Sequence, residues 1–449
     1  MTRAGGRVAT IDKRARARIP GGTSSPARDV GPVGADLPVL GASGRGARLT
    51  DVEGRTYIDY LQAFGPGIVG HGHAGVRAAV AAACADGPLF GLGSMAEIRL
   101  AEELARSVRG VEMVRFTASG TEAVMAAVRL ARAVTGRRLL VKFDAGYHGH
   151  ADVVLGDSGS AAAHAGHAAG SAPAGVPAGV VADTHTLPWN EAASLSAFLE
   201  RQGAEVAAVI VEPVAGNIGI VRPEPEFVEA LNSVRRYGAC LIADEVVSAF
   251  RFRYGDAQSL VGLQADLTCM GKIVGGGLPI GAYGGATAFM ERLAPIGDVF
   301  QAGTFAGHPV ACAAGLATLR ALRAPGAYER LDALGAALEG GLREAAASTG
   351  MAVSLNRVGG ALTLWPGRDE TVLGPVRTRA DVEAAPADRF AAMYRGLRAR
   401  GVLLAASRFE AWLLTLAHDA DDVAETVAAA RSVFAELGRE DARGRKRPG

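Results

Sequence analysis

The feature that most constrains this chain is an alternation between short, almost wholly apolar runs and longer segments with helical periodicity. Two of the runs read VAAVIVE (Val206–Glu212) and ACLIAD (Ala239–Asp244). Runs this short, with no polar residue at alternate positions, suit strands buried on both faces. A parallel sheet covered by helices on each side is the arrangement that buries them so. The spacing predicts further strands at Val114–Thr117 and Leu139–Phe143, and helices at Glu122–Val134, Ser194–Gln202 and Pro225–Tyr237. Before them, residues 48–61 predict a β-hairpin turning at Asp51–Gly54. Residues 95–108 predict a helix, with Ile98, Leu100, Leu104 and Val108 mostly on one side.

After residue 310 the pattern changes to a second, smaller α/β unit. A helix carries Leu331, Leu334, Leu338 and Leu342, and Arg389–Arg400 reads as another. Ala361–Trp365, Gly401–Ala405 and Trp412–Leu416 read as strands, and a last helix carries Val423, Val427, Ala430, Phe434 and Leu437. The first 22 residues are Arg-rich without an apolar stretch, which predicts a flexible arm rather than a secretory signal. Residues 156–180 are rich in Gly, Ala, Ser and Pro, and long for a loop inside a folded unit, so they are expected to form a mobile lid.

Composition narrows the function. With 47 Lys+Arg against 46 Asp+Glu the net charge is +1, which carries no electrostatic footprint for nucleic acid. No run of roughly 18 uninterrupted apolar residues exists, so no membrane span is expected. Cys84, Cys240, Cys269 and Cys312 are far apart, with no C-x-x-C pair, which argues for a reduced, cytoplasmic protein. His71/His73 and His148/His150 are i, i+2 pairs without a carboxylate cluster, so no metal site is expected.

Three positions carry chemistry. Ser119-Gly120-Thr121-Glu122 joins a strand to a helix. The first-turn N–H groups of a helix lack partners and carry partial positive charge, so hydroxyls and a glycine there form a phosphate cup, although the same residues also serve as an ordinary N-cap. Asp244 ends an apolar strand, where a carboxylate points into the ligand crevice of a parallel sheet. Lys272 sits between an apolar run and Gly275-Gly276-Gly277. A lysine buried there has a lowered pKa and can attack a carbonyl. A cup, a carboxylate and a lysine together describe a pyridoxal phosphate site, in which Asp244 keeps the pyridine nitrogen protonated and Lys272 holds the aldehyde and moves protons. Tyr147 (DAGYHGH) could stack on the ring, and Asn217 (EPVAGN) could reach its hydroxyl.

The order and spacing of SGTEAVMAAVRLAR, KFDAGYHGH, VIVEPVAGN, ADEVVSAFR, ADLTCMGKIVGGGLPIGAYGG and QAGTFAGHP resemble the class III, fold-type I pyridoxal phosphate aminotransferases. IPGG-x-SSP-x-R, SRFEA and LAH resemble their glutamate-1-semialdehyde 2,1-aminomutase branch. The resemblance implies a mainly parallel seven-stranded sheet in a large domain over residues 71–320. It implies a smaller domain built from residues 1–70 and 321–449. It makes Lys272 catalytic, and it makes Ser119, Gly120, Thr121, Tyr147, Asn217 and Asp244 cofactor-binding. Thr304 of a neighbouring subunit would complete the cup, so a homodimer is implied. Arg28 would bind the substrate carboxylate, Ser158 would lie in the gating loop, and Glu410 would lie near the substrate amino groups. Phe64 stands on the substrate side where the family usually has Trp, and Phe305, Ala306 and His308 also depart from the branch. The expected reaction is conversion of glutamate-1-semialdehyde, or a close analogue, to 5-aminolevulinate through pyridoxal and pyridoxamine forms of the cofactor. The alternative is a two-substrate aminotransferase acting on a β- or ω-amino acid.

Overall fold

The apolar runs lie side by side in one seven-stranded sheet of this computed structural model, which describes residues 4–156 and 173–444. In chain order the strands are Met113–Thr117 (β1), Leu139–Phe143 (β2), Thr184–Leu187 (β3), Val206–Val211 (β4), Cys240–Asp244 (β5), Leu267–Gly271 (β6) and Gly281–Gly285 (β7). Their spatial order is β1-β7-β6-β5-β4-β2-β3. Only β7 runs against its neighbours, β1 and β6. The pairs β6–β5, β5–β4, β4–β2 and β2–β3 are parallel.

Side-chain alternation explains why these strands are apolar throughout. Leu139, Val141, Phe143, Val209, Val211, Leu241 and Ala243 enter one core, beneath helices Ala192–Gln202 and Pro225–Ser233. Leu140, Ala208, Ile210, Cys240 and Ile242 enter another, against Ala123, Val124 and Ala127 of helix Gly120–Thr135. Both faces are dry, so both sets are apolar except for the buried Lys142 of β2, whose ammonium donates to the Gly156 carbonyl.

Two strands have no apolar signal. β3 (THTL) is half-buried at the sheet edge. β7 (GAYGG) is wholly buried, and glycine is required there by close approach rather than by propensity. A Cβ on Gly281 would sit 2.0 Å from the Ser119 carbonyl oxygen, and one on Gly284 2.6 Å from that of Met113.

The chain ends meet. The expected hairpin pairs Arg48–Asp51 with Thr56–Asp59, and the Asp51 carboxylate accepts from the Glu53 and Arg55 N–H groups at 2.9 Å to close the turn. Thr56–Asp59 then pairs in parallel with Val402–Leu403. Val353–Val358, Ala361–Pro366 and Trp412–Leu413 form a third sheet. Helix Ala327–Thr349 buries Leu331, Leu338 and Leu342 in a core that also holds Ala430, Phe434 and Leu437 of helix Ala420–Gly444. The two late strands are shorter than expected. The N-terminal arm is a helix, Ala4–Arg16, with an Asp12–Arg16 ion pair at 2.7 Å and Val8 buried. No helix among the described residues is long and apolar enough to cross a membrane.

Helix Pro309–Leu322 braces the turn that follows β6. A Cβ on Gly315 would lie 2.0 Å from the Val274 carbonyl oxygen. Gly315→Ala therefore forces the helix from the turn and should destabilise the fold by about 2 kcal/mol, the scale of an overpacked core. A urea midpoint equal to the parent's would refute this contact.

Candidate active site

Five strands at their carboxyl ends, and the helix after β1 at its N-terminal turn, deliver residues to one cavity of about 410 Å3. β1 leads to Ala118, Ser119, Gly120 and Thr121, and β2 to Tyr147, His148 and Gly149. β4 leads to Glu212, β5 ends at Asp244, and β6 leads to Lys272. This is the crevice where open α/β sheets hold ligands.

Ser119 caps helix Gly120–Thr135, its hydroxyl accepting from the Glu122 N–H at 3.3 Å. The Glu122 carboxylate reaches back to accept from the Ala118 N–H at 2.7 Å. The N-cap and the anion cup are thus the same residues. Gly120 and Thr121 present first-turn N–H groups beside the hydroxyls, a donor set suited to phosphate. Gly120 has no room for a side chain, since a Cβ would meet Val246 Cγ1 at 2.9 Å.

Asp244 is 4% exposed and pairs with His148, which is 1% exposed, at 2.7 Å from Oδ2 to Nδ1. The other Asp244 oxygen accepts from the Val246 N–H at 3.1 Å. Glu212 is sealed behind them. It accepts from the N–H groups of Tyr147 at 2.9 Å and Gly216 at 2.8 Å, and from Asn217 Nδ2 at 2.6 Å. Burial pushes its carboxyl up to about 7, with His148 opposing and Asp244 assisting. Burial likewise raises the Tyr147 phenol. Sequence reasoning missed His148 and Glu212 as members of the site. Both follow apolar strands at the edge that carries Asp244, and that placement was the available signal.

Lys272 joins this cavity to a second, of about 20 Å3, lined also by Phe64, Asn217, Arg251 and Glu410. Its φ of +49° is uncommon outside glycine. Burial lowers the pKa of its amine, with Glu410, Glu212 and Asp244 pulling the other way and Arg251 adding to the depression. The structure therefore brings together Lys272, Asp244, Ser119, Gly120, Thr121 and Tyr147, with Phe64, Asn217 and Glu410 on the far side of the lysine. Arg28 lies exposed on the turn Pro26–Arg28, outside both cavities. Thr304 and Phe305 are exposed on the surface, with His308 stacked 6.2 Å from Phe305. Ser158 lies outside the described residues. Of the two i, i+2 histidine pairs, His148 serves Asp244 and His71 hydrogen-bonds Asp59 at 2.7 Å.

The Glu212 carboxyl gives a pH signature. Its folded value of about 7 lies above the ordinary 4.5, so the stability it confers is full below pH 4.5 and is lost as pH rises through 7. Glu212→Gln has no such proton to lose. Across that window the stability difference between variant and parent should move in the variant's favour, read from urea midpoints. Parallel curves would show that Glu212 ionises normally.

Comparison with known proteins agrees with this geometry. Residues 31–404 match the family Aminotransferase class-III. A glutamate-1-semialdehyde 2,1-aminomutase from Desulfatibacillum aliphaticivorans is 47% identical over 94% of this chain and 98% of that protein. The crystal structure of an omega-transaminase from Sphaerobacter thermophilus superposes with a TM-score of 0.87 at 32% identity, covering 96% of this chain and 98% of that one. A glutamate-1-semialdehyde aminomutase variant from Pseudomonas aeruginosa, solved in complex with PMP, superposes at 0.83 with 27% identity, covering 96% and 95%. The chain belongs to the class III aminotransferases.

Proposed function

We propose that this chain is a pyridoxal phosphate-dependent aminomutase that converts glutamate-1-semialdehyde to 5-aminolevulinate, working as a cytoplasmic homodimer. The observation that carries the reading is a lysine with a depressed pKa in one cavity with a helix-start anion cup and a buried, histidine-backed aspartate. The near full-length similarity to an aminomutase supports the choice of substrate.

The residues fit the cofactor. Ser119, Gly120 and Thr121 would hold its phosphate, Asp244 its ring nitrogen and Lys272 its aldehyde, while Tyr147 offers an aromatic face to the same cavity. When bound, the group withdraws electrons from the substrate carbon that loses a proton. Asp244 would keep a proton on the ring nitrogen, and His148 holds the Asp244 carboxylate in place at 2.7 Å. Lys272 Nζ, whose pKa burial lowers, would take a proton from carbon and return it to the neighbouring position. Glu410, across the smaller cavity, attracts the substrate's ammonium group. Arg28 and Ser158 remain our candidates for the substrate carboxylate and the gate.

The dimer reading rests on Thr304. It is exposed here, in a stretch that also exposes Ile296, Phe300 and Phe305, the last three at 70%, 71% and 56%. Apolar side chains so placed suit a subunit interface. We propose that Thr304 of the partner subunit completes the phosphate cup. We propose also that residues 71–320 form the large domain and that residues 1–70 and 321–449 together form the small one, supported by the pairing of Thr56–Asp59 with Val402–Leu403.

The pyridoxamine phosphate-loaded protein should turn glutamate-1-semialdehyde into 5-aminolevulinate with no keto acid added. Lys272→Ala should lose about 100- to 10,000-fold in turnover, the usual contribution of a general acid–base. The likeness to an omega-transaminase favours a second reading, a two-substrate aminotransferase. A strict requirement for an added keto acid would establish that instead. Sedimentation should show a dimer, and a fully active monomer would remove Thr304 from the site.

A further inference from the structure

Arg251 is 2% exposed, and among the described residues no carboxylate lies within ion-pair distance of it. A buried guanidinium without an acid is costly, and chains rarely keep one without a use. It donates through Nη2 to the Gly65 carbonyl and through Nη1 to that of Leu414 at 3.4 Å, while Nε has no partner. Thus a side chain from the loop after β5 ties together an early and a late segment of the chain.

The early segment is strained. Gln62, Ala63 and Phe64 have φ of +44°, +53° and +63°, three consecutive non-glycine residues in the left-handed region. Such conformations persist only where the surroundings over-determine them. Gly65, at φ +130°, ends the turn directly against the lysine, since a Cβ there would lie 3.0 Å from Lys272 Cδ. The carbonyl of this same glycine is the one Arg251 holds.

We propose that Arg251 is a positioning residue for Lys272, pinning the left-handed turn beneath the lysine and setting a buried cation against its amine. The charged and titratable groups facing the amine are Asp244 with His148 behind it, Glu212, Glu410 and Arg251. Tyr147 lines the same large cavity, and Tyr328 approaches Arg251, its hydroxyl donating to the Phe250 carbonyl at 3.0 Å. Three acids draw a proton onto the lysine. Arg251, not neutralised by an ion pair, opposes them across the smaller cavity.

The inference rests on Lys272 being the cofactor-bearing lysine of the proposed function. The test is a pH titration of the visible absorbance of the pyridoxal phosphate-loaded protein. Arg251→Met should raise the midpoint by about one pH unit, the scale of one like charge removed. If Arg251→Met does not fold, Arg251→Gln, which keeps an amide donor for the Gly65 carbonyl, carries the same expectation. Arg251→Lys keeps the charge and should leave the midpoint near the parent's, while its loss of the two-carbonyl clamp lowers kcat about tenfold. A neutral variant with the parent midpoint overturns the inference, as does Arg251→Lys shifting as far as the neutral ones. No visible lysine-linked band in the parent protein would overturn the cofactor reading, and this inference with it.

Discussion

Taking the Lys272 amine out of water disfavours its ammonium form, and the site is arranged around that penalty. Asp244, Glu212 and Glu410 surround the amine with acids that would restore the proton. Their pull is limited because two of them are engaged elsewhere. Asp244 is bound by His148 and the Val246 N–H, and Glu212 accepts three donors of its own. A neutral lysine can take a proton from carbon, whereas an ammonium cannot. Burial depends in turn on the turn after β6, which helix Pro309–Leu322 can approach only because Gly315 has no side chain.

Much of this was legible in the sequence because strand burial and strand-end chemistry both leave local marks. The fully buried β4 is a continuous apolar run, β2 is one broken only by Lys142, and Asp244 sits where the run of β5 stops. β7 left no mark, because its glycines answer to neighbours distant in sequence, Ser119 and Met113. The N-terminal arm reads as flexible because, among the described side chains of its helix, Val8 alone is fully buried. The late strands shrank for a related reason. Leu414 and Leu416 are apolar, but their N–H groups bond to Gly360 and Ile68 outside a regular ladder.

The site shows the same division. Residue type and position at a strand end suffice to find Lys272, Asp244 and Ser119. They do not suffice for His148, which reads as one of a pair of histidines beside glycines until its partner across the sheet is known. Nor do they reveal Arg251, whose meaning depends on the absence of a nearby acid among the described residues and on a carbonyl 186 positions away. Long-range pairing of this kind has no period and no spacing in one sequence.

The placement of β7 has a consequence for how such a site can change. It stands between β1, which leads to the anion cup, and β6, which leads to the lysine. The strands that lead to the cup and to the lysine are therefore two strand spacings apart, roughly 10 Å, an interval kept by backbone hydrogen bonds. A side chain at Gly281 or Gly284 of β7 would stretch that ruler, because each packs against the backbone that leads to the cup. Phe64 and Glu410, by contrast, belong to segments outside the seven-stranded sheet. The part of the molecule that measures the cofactor is hydrogen-bonded lattice, and the part that would meet the substrate hangs from it by single clamps such as the one between Arg251 and the Gly65 carbonyl.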